Sequence, residues 1–164
     1  MPRWHAPNEG VYKLNTDAAV DSENNCFGLS MVIKNHLGMV MACSSQKVVR
    51  LVSPYVAEAM TTLKGIIFVT DTGLQPVNIE LDALNVVNLI KSDLQVATDV
   101  GLVICDIKDR LNKMGCIAVV FVPRLANVVV YNLSKLMLAY DDDYYWMESY
   151  PPSVERFVRD DHLV

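Results

Sequence analysis

The first part of the chain alternates between apolar and polar residues in three successive segments. Residues 11–17 alternate imperfectly, which is typical of a strand. A polar turn at 21–25 leads to a second predicted strand at 27–34. Residues 35–38 have the composition of a hairpin turn, and a third strand follows at 39–45. We therefore expect the chain to open with a three-stranded antiparallel meander.

An amphipathic helix is predicted next. Ser53 is a suitable N-cap, Pro54 fits the first helical position, and Gly73 ends the helix. One face of this helix is apolar and carries Val56, Ala59, Met60, Leu63, Ile66 and Ile67. Because successive helical residues are about 100° apart, Glu58 points about 200° away from Val56 and lies off this face. Glu58 is therefore a carboxylate near the helix start with no predicted role in the core.

The second half of the chain alternates between strands and helices. The predicted elements are a short strand at 77–82, helices at about 83–91 and 98–114, a strand at 116–122 and a helix at about 125–139. The unbroken apolar character of the last strand indicates that helices cover both faces of the sheet. The order βββ-α-β-α-α-β-α predicts an α/β fold with a mixed five-stranded sheet, antiparallel first and then parallel. The acidic, aromatic tail from Asp141 is expected to form either an ordered edge or a loose end.

Length and composition are those of a globular protein. The chain has 164 residues, of which 52% are hydrophobic and 20% charged. A single domain spanning 1–164 is expected, with a core at about 10–140 and a tail at 141–164. No apolar run approaches the roughly 20 residues of a membrane span, and the first ten residues lack the apolar part of a secretory signal. We therefore expect an intracellular protein, cytoplasmic or nuclear, without a membrane partner.

The cysteines and histidines argue against zinc and against a histidine-based triad. None of the four cysteines forms a CxxC pair, and all are expected to be buried free thiols; they are Cys26, Cys43, Cys105 and Cys116. The three histidines are scattered over turns and tails.

The net charge of −5 counts against a simple polyanion binder. An acidic metal site would contribute to that charge, however, and two divalent cations would offset about four charges there.

Three separated carboxylates are candidate metal ligands. Asp17 is predicted at the end of the first strand, where aspartate is uncommon, and two small alanines follow it. Asp82 ends the fourth strand, and ligands of open α/β sheets collect outside the carboxyl ends of strands. Taken singly, Asp82 could be a helix cap and Glu58 a carboxylate favoured by the helix N-terminus. Together, the three favour a hard cation, Mg²⁺ or Mn²⁺, and two-metal phosphoryl chemistry.

The chain also carries an ordered set of short matches over nearly its whole length. The matches are Trp4, Pro7, Gly10, 13–19, Gly28, 32–33, Gly38, 57–59, 80–83, 86–87, Ile90, 106–107, 122–124, 126–127, Trp146, 151–152 and Asp160. In this set the chain resembles the ribonuclease H-like domain found in plant reverse-transcriptase-like proteins. The resemblance implies a ribonuclease H fold and Mg²⁺- or Mn²⁺-dependent cleavage of the RNA strand of an RNA–DNA hybrid. It also assigns Asp17, Glu58 and Asp82 to the first three of four catalytic metal-binding carboxylates.

Two positions depart from the pattern of that family. Counted from Asn127, the fourth carboxylate is expected at position 131, which is Tyr131 here, and the histidine usual before Val-Pro-Arg is Phe121. Tyrosine is neutral at pH 7 and too bulky to replace a carboxylate ligand. Two hypotheses follow. The chain is either a hybrid-cleaving ribonuclease, weakened by this loss, or a degenerate copy that binds nucleic acid or a protein partner without catalysis.

Overall fold

The computed structural model describes residues 1–162, and a six-stranded mixed sheet forms the centre of the fold. The strands are β1 Tyr12–Asp21, β2 Cys26–Lys34, β3 Val40–Val48, β4 Val77–Leu81, β5 Cys116–Phe121 and β6 Tyr144–Met147. Their order across the sheet is β5-β4-β1-β2-β3-β6. Strands β1, β2, β3 and β6 pair antiparallel in turn, whereas β1, β4 and β5 pair parallel. The predicted α/β fold with a mixed sheet is confirmed.

Within residues 1–162, five α-helices connect or follow these strands. They are α1 Pro54–Thr72, α2 Leu84–Lys91, α3 Asp99–Lys113, α4 Val128–Met137 and α5 Glu155–His162. The predicted ends of α1 are confirmed: the Ser53 side chain accepts a hydrogen bond of 3.3 Å from the Val56 N–H. Gly73, with a φ of 72°, closes the other end through its N–H. Among residues 1–162, no helix has the length and apolar character that crossing a membrane requires.

Helices cover both faces of the sheet. All nine residues of β2 are buried, and their side chains alternate between the two faces. Leu29 and Ile33 belong to the core beneath α1, α2 and α3. Val32 belongs to a second core, which also contains residues of α4 and α5. The central strands β1 and β2 therefore lie between two helical layers.

Two glycines bring helices close to the sheet. A Cβ on Gly65 of α1 would lie 2.7 Å from Cγ2 of Thr16, and a Cβ on Gly28 of β2 would lie 2.1 Å from the carbonyl oxygen of Ser134 in α4. Neither distance leaves room for a side chain. The close approach of α1 and α4 to the two faces of the sheet brings residues of both helices near β1.

Three predictions about the elements were wrong in detail. The sheet has six strands rather than five, because β6 in the tail pairs with β3 and forms an ordered edge. Strand β5 was expected to be covered by helices on both faces, but it lies at the opposite edge of the sheet, where Ile117 is 58% exposed. The predicted last helix is divided into a 3₁₀ turn, Arg124–Ala126, and α4.

The apolar face of α1 and the burial of the cysteines also differ from the prediction. Of the six residues predicted on the apolar face of α1, Ala59 and Ile66 are buried, whereas the other four are only half-buried: Val56, Met60, Leu63 and Ile67. The buried face also includes small or polar residues that were not predicted there, such as Ala57, Thr61 and Gly65. All four cysteines are free, as expected, and Cys26 and Cys43 are buried. Cys105 is exposed and Cys116 is half-buried, so the expectation of four buried thiols was wrong.

Candidate active site

Two of the three carboxylates meet because neighbouring strands end at different points. Thr16 of β1 pairs in parallel register with Leu81, the last residue of β4. The residues that follow, Asp17 and Asp82, therefore lie side by side at the carboxyl end of β4. Asp17 was predicted at the end of its strand, and this was wrong: it lies in the middle of β1, which continues to Asp21. It reaches the sheet edge because β4 stops beside it, and it is only 1% exposed.

Glu58 approaches the same point from α1. Beyond Thr16, the backbone of β1 has no partner in β4, and the N–H of Ala18 instead donates a hydrogen bond of 3.3 Å to Oε1 of Glu58. Asp17, Glu58 and Asp82 each contribute one carboxylate oxygen to a group in which all three oxygens lie within 4.8 Å of one another. The structure thus brings together the three carboxylates that sequence analysis selected.

Burial and mutual repulsion raise the pKa values of two of these carboxyls. Burial and then the Asp82 carboxylate raise the pKa of Asp17 from 3.8 to about 7. Burial and then the carboxylates of Asp17 and Asp82 raise the pKa of Glu58 from 4.5 to about 9. The ionised cluster is therefore costly without a nearby positive charge.

The oxygen atoms themselves fit a hard cation. Among the described residues, Oδ1 of Asp17 and Oε2 of Glu58 are buried and have no hydrogen-bond partner. Buried polar atoms are normally paired, and an unpaired one is costly. Carboxylate oxygens are the ligands that Mg²⁺ and Mn²⁺ prefer. A divalent cation at this point would satisfy both oxygens and offset the repulsion.

Tyr131 lies beside this cluster together with two cations that sequence analysis missed. Arg124 places Nε 3.3 Å from Oδ2 of Asp82 and its guanidinium carbon 4.5 Å from the centre of the Tyr131 ring. Nζ of Lys135 lies 4.7 Å from the same ring centre and donates a hydrogen bond of 2.8 Å to the phenolic oxygen. That hydrogen bond and then the Lys135 charge lower the pKa of Tyr131. In the sequence, only the spacing of Tyr131 and Lys135 indicated this contact, because residues four apart on a helix lie next to each other.

A buried amide pair fixes the turn that carries Arg124. Nδ2 of Asn127 donates a hydrogen bond of 3.0 Å to the carbonyl oxygen of Thr16. Nδ2 of Asn15 donates to Oδ1 of Asn127 at 3.0 Å and to Oε1 of Glu80 at 3.2 Å. These bonds tie the start of α4 to β1 and β4, so the position of Arg124 relative to Asp82 is set by buried groups. Phe121, which replaces the expected histidine, is 42% exposed at the end of β5.

The sequence matches one protein-family model, described as reverse transcriptase-like, over residues 15–137. The chain belongs to the reverse transcriptase-like family. The matched range includes Asp17, Glu58, Asp82 and Tyr131, and it covers most of the sheet. The comparison with curated proteins gives no match for this reverse transcriptase-like chain. Its predicted plant origin stays a prediction.

Solved ribonuclease H structures share the fold of this reverse transcriptase-like chain. Ribonuclease H1 from Halobacterium salinarum superimposes with a TM-score of 0.72 at 15% identity, covering 79% of this chain and 98% of that one. The N-terminal ribonuclease H domain of Rv2228c from Mycobacterium tuberculosis gives 0.69 at 19% identity, covering 78% and 93%. LC11 ribonuclease H1, isolated from compost and solved with an RNA/DNA hybrid, gives 0.68 at 16% identity, covering 76% and 94%. The fold is therefore ribonuclease H-like.

Proposed function

We propose that this protein is a metal-dependent endonuclease that cleaves the RNA strand of RNA–DNA hybrids, with activity weakened by the loss of the fourth carboxylate. The observation that carries the proposal is the meeting of Asp17, Glu58 and Asp82, with their oxygens within 4.8 Å of one another. Membership of the reverse transcriptase-like family and the ribonuclease H-like fold support it.

In this proposal the three carboxylates are the catalytic metal ligands, and Mg²⁺ or Mn²⁺ is the cofactor. A cation bound there supplies Lewis-acid stabilisation of the charge that develops on the phosphoryl group. The protein's own contribution is to hold the ligands in place. The Ala18 N–H fixes Oε1 of Glu58, and the Ser134 hydroxyl donates a hydrogen bond of 2.9 Å to Oδ2 of Asp17. The remaining oxygens of both carboxylates are then free for the cation.

Nucleic acid, as an RNA–DNA hybrid, is the proposed partner. One ribonuclease H structure with the same fold contains an RNA/DNA hybrid, which supports this substrate class for the present chain. The net charge of −5 does not oppose it strongly, because the three carboxylates contribute part of that charge and a bound cation would offset it.

A second candidate function is nucleic-acid or protein binding without catalysis. It is favoured by Tyr131, which stands between Arg124 and Lys135 where the family pattern has a fourth carboxylate. A neutral phenol with two neighbouring cations does not attract a second divalent cation. In this alternative, the three retained carboxylates are remnants of an active ancestor.

Cleavage of an end-labelled RNA–DNA hybrid in Mg²⁺ or Mn²⁺ distinguishes the ribonuclease from the non-catalytic binding protein. The matched control is Asp17→Asn, which keeps the size of the side chain and removes its charge. The ribonuclease proposal requires metal-dependent cleavage of the RNA strand that Asp17→Asn abolishes. Binding of the hybrid without any cleavage, equal in the parent and in Asp17→Asn, would instead support the non-catalytic candidate.

A further inference from the structure

Two cations and one aromatic ring form a cluster on the α4 side of the carboxylates. The guanidinium carbon of Arg124 and Nζ of Lys135 lie 4.5 Å and 4.7 Å from the centre of the Tyr131 ring. Such distances are within the range of cation–π attraction. Both cations are therefore held at the same ring, although like charges in water would separate, and Arg124 also contacts Asp82.

Both cations keep hydrogen-bonding capacity for a ligand. Arg124 is 63% exposed, and among the described residues it bonds through Nε alone, to Asp82, so its two terminal nitrogens are free. Lys135 is exposed and donates one hydrogen bond, to the Tyr131 hydroxyl, out of the three that an ammonium group can donate. The free donors belong to side chains at the surface, where an extended anion can reach them.

The neighbouring carboxylates explain why a nucleic-acid strand needs these cations. A phosphodiester that approaches Asp17, Glu58 and Asp82 is repelled by their negative charge, and a cation bound between them removes only part of this repulsion. Most other lysines and arginines near the sheet are already paired, as Lys13 is with Glu80 and Lys34 with Asp161. In the cluster at Tyr131, by contrast, Lys135 has no carboxylate partner among the described residues, and Arg124, although paired with Asp82 through Nε, keeps its two terminal nitrogens free.

We propose that Arg124, Tyr131 and Lys135 form a binding site for a backbone phosphate of the RNA–DNA hybrid, next to the three carboxylates. Arg124 and Lys135 donate hydrogen bonds to the phosphate oxygens, and the Tyr131 ring holds the two cations in position. The inference rests on the proposed function in one respect, that the protein binds nucleic acid. In this arrangement the residue at the position of the fourth carboxylate supports two substrate contacts instead of binding a metal.

Rigid support distinguishes this cluster from a chance group of surface charges. Arg124 follows Pro123 and belongs to a 3₁₀ turn that is capped by Asn127, which is buried and bonded to β1. Lys135 and Tyr131 are one turn apart on α4, which packs against the sheet at Gly28. The two cations therefore project from fixed backbone positions, so less conformational freedom is lost when a phosphate binds.

The test is the affinity for a fluorescently labelled RNA–DNA hybrid as a function of salt concentration. All variants are made in the Asp17→Asn background, so that no cleavage occurs during the titration. The test variant is Lys135→Gln. The matched control is Lys113→Gln, because Lys113 is an exposed helical lysine on α3 whose carboxylate partner within 1–162 is Asp109 on the same helix. Lys135→Arg restores the charge. Among residues 1–162, Lys135 pairs with no carboxylate, so the metal-induced shift in melting temperature of the otherwise wild-type Lys135→Gln protein should equal that of the parent.

We expect Lys135→Gln to weaken binding by about 3- to 10-fold near physiological salt. It should also make the negative slope of log affinity against log salt concentration shallower by about 0.7–0.9, which corresponds to the loss of one phosphate contact. Lys113→Gln should leave both quantities unchanged, and Lys135→Arg should recover them. Equal affinities and slopes for Lys135→Gln and Lys113→Gln would overturn the phosphate site while leaving the ribonuclease proposal intact. Failure of the Asp17→Asn protein itself to bind the hybrid would also overturn the phosphate site, whereas the cleavage assay of the parent decides the ribonuclease proposal separately.

Discussion

The hydroxyl of Ser134 donates a hydrogen bond of 2.9 Å to Oδ2 of Asp17, which joins α4 directly to the middle of β1. Ser134 is fully buried and Asp17 is 1% exposed, so no water competes for this bond. The other oxygen of Asp17 has no hydrogen-bond partner among the described residues. The bond therefore fixes one oxygen of the carboxylate and leaves the other, which is buried, without a hydrogen bond.

Ser134→Ala should destabilise the protein, and more at alkaline than at acidic pH. A hydrogen bond to an ionised carboxylate is stronger than one to a neutral carboxyl, and the pKa of Asp17 is about 7. We expect a loss of about 1.5–3 kcal/mol in the free energy of unfolding at pH about 8.5, and a smaller loss at pH about 5.5. Urea denaturation at the two pH values measures it.

Ser45→Ala is the matched control for that experiment. Ser45 is also fully buried, but its hydroxyl has no hydrogen-bond partner among residues 1–162. Removing an unpaired buried hydroxyl should leave the stability unchanged or raise it. If Ser134→Ala and Ser45→Ala had the same effect at both pH values, the bond to Asp17 would have no energetic importance.

Without metal, the stability of the protein should fall as the pH rises. In the unfolded chain Asp17 and Glu58 titrate near 3.8 and 4.5, whereas their pKa values in the folded protein are about 7 and about 9. Between about pH 4 and pH 9 the folded state therefore binds more protons than the unfolded state, and the free energy of unfolding decreases with pH. Each carboxyl contributes at most about 1.4 kcal/mol per pH unit.

Denaturation in a chelating buffer over this pH range measures the effect. Asp17→Asn removes one of the two titrating groups and its repulsion of Glu58, so its profile should be clearly flatter than that of the parent. A parent profile that is flat, or that rises, between pH about 5 and pH about 9 would contradict the raised pKa values.

Millimolar Mg²⁺ or Mn²⁺ should stabilise the folded protein. A ligand that binds only the native state stabilises it by about 2.7 kcal/mol at one hundred times its Kd. Asp17→Asn should remove most of this gain in melting temperature. Asp21→Asn is the control, because Asp21 ends the same strand but is bonded to Asn24 in an exposed turn. Equal melting temperatures of the parent with and without metal would mean that the carboxylates no longer hold a cation.

The parts of the fold that depend on local chemistry could be predicted from the sequence. Ser53, Pro54 and Gly73 determine the ends of α1 because capping and left-handed backbone are properties of single residues. The meeting of Asp17 with Asp82 was predicted on the premise that both residues end their strands, but β1 continues to Asp21, and the two residues meet because β4 ends beside the middle of β1. The metal-binding role of these residues stays a prediction.

The parts that depend on distant pairing could not be predicted in the same way. The apolar residues of β5 suggested a strand covered on both faces, but its place at the sheet edge follows from the order of all six strands. Strand β6 lies in a tail of acidic and aromatic residues without clear alternation, and only pairing with β3 orders it. The contact of Arg124 with Asp82 joins residues from two separate loops, and no sequence spacing indicates it.

Tyr131→Asp should raise cleavage of an RNA–DNA hybrid above that of the parent. Tyr131 lies over Arg124, which is paired with Asp82, so a carboxylate at position 131 would stand beside the existing cluster. It would supply the negative charge and the short side chain that a second metal requires. We expect at least about a tenfold rise in rate, which corresponds to about 1.4 kcal/mol in the activation barrier.

Tyr131→Asn is the control for this gain, because asparagine has the shape of aspartate without its charge. It removes the same ring contact with Arg124 and Lys135, so any effect of losing the ring appears in both variants. A rise with Tyr131→Asp alone would mean that the missing charge is what limits the parent. If Tyr131→Asp folds, is stabilised by Mg²⁺ and still cleaves no better than Tyr131→Asn, then the chain has lost more than one ligand. In that case binding without catalysis becomes the better account of its function.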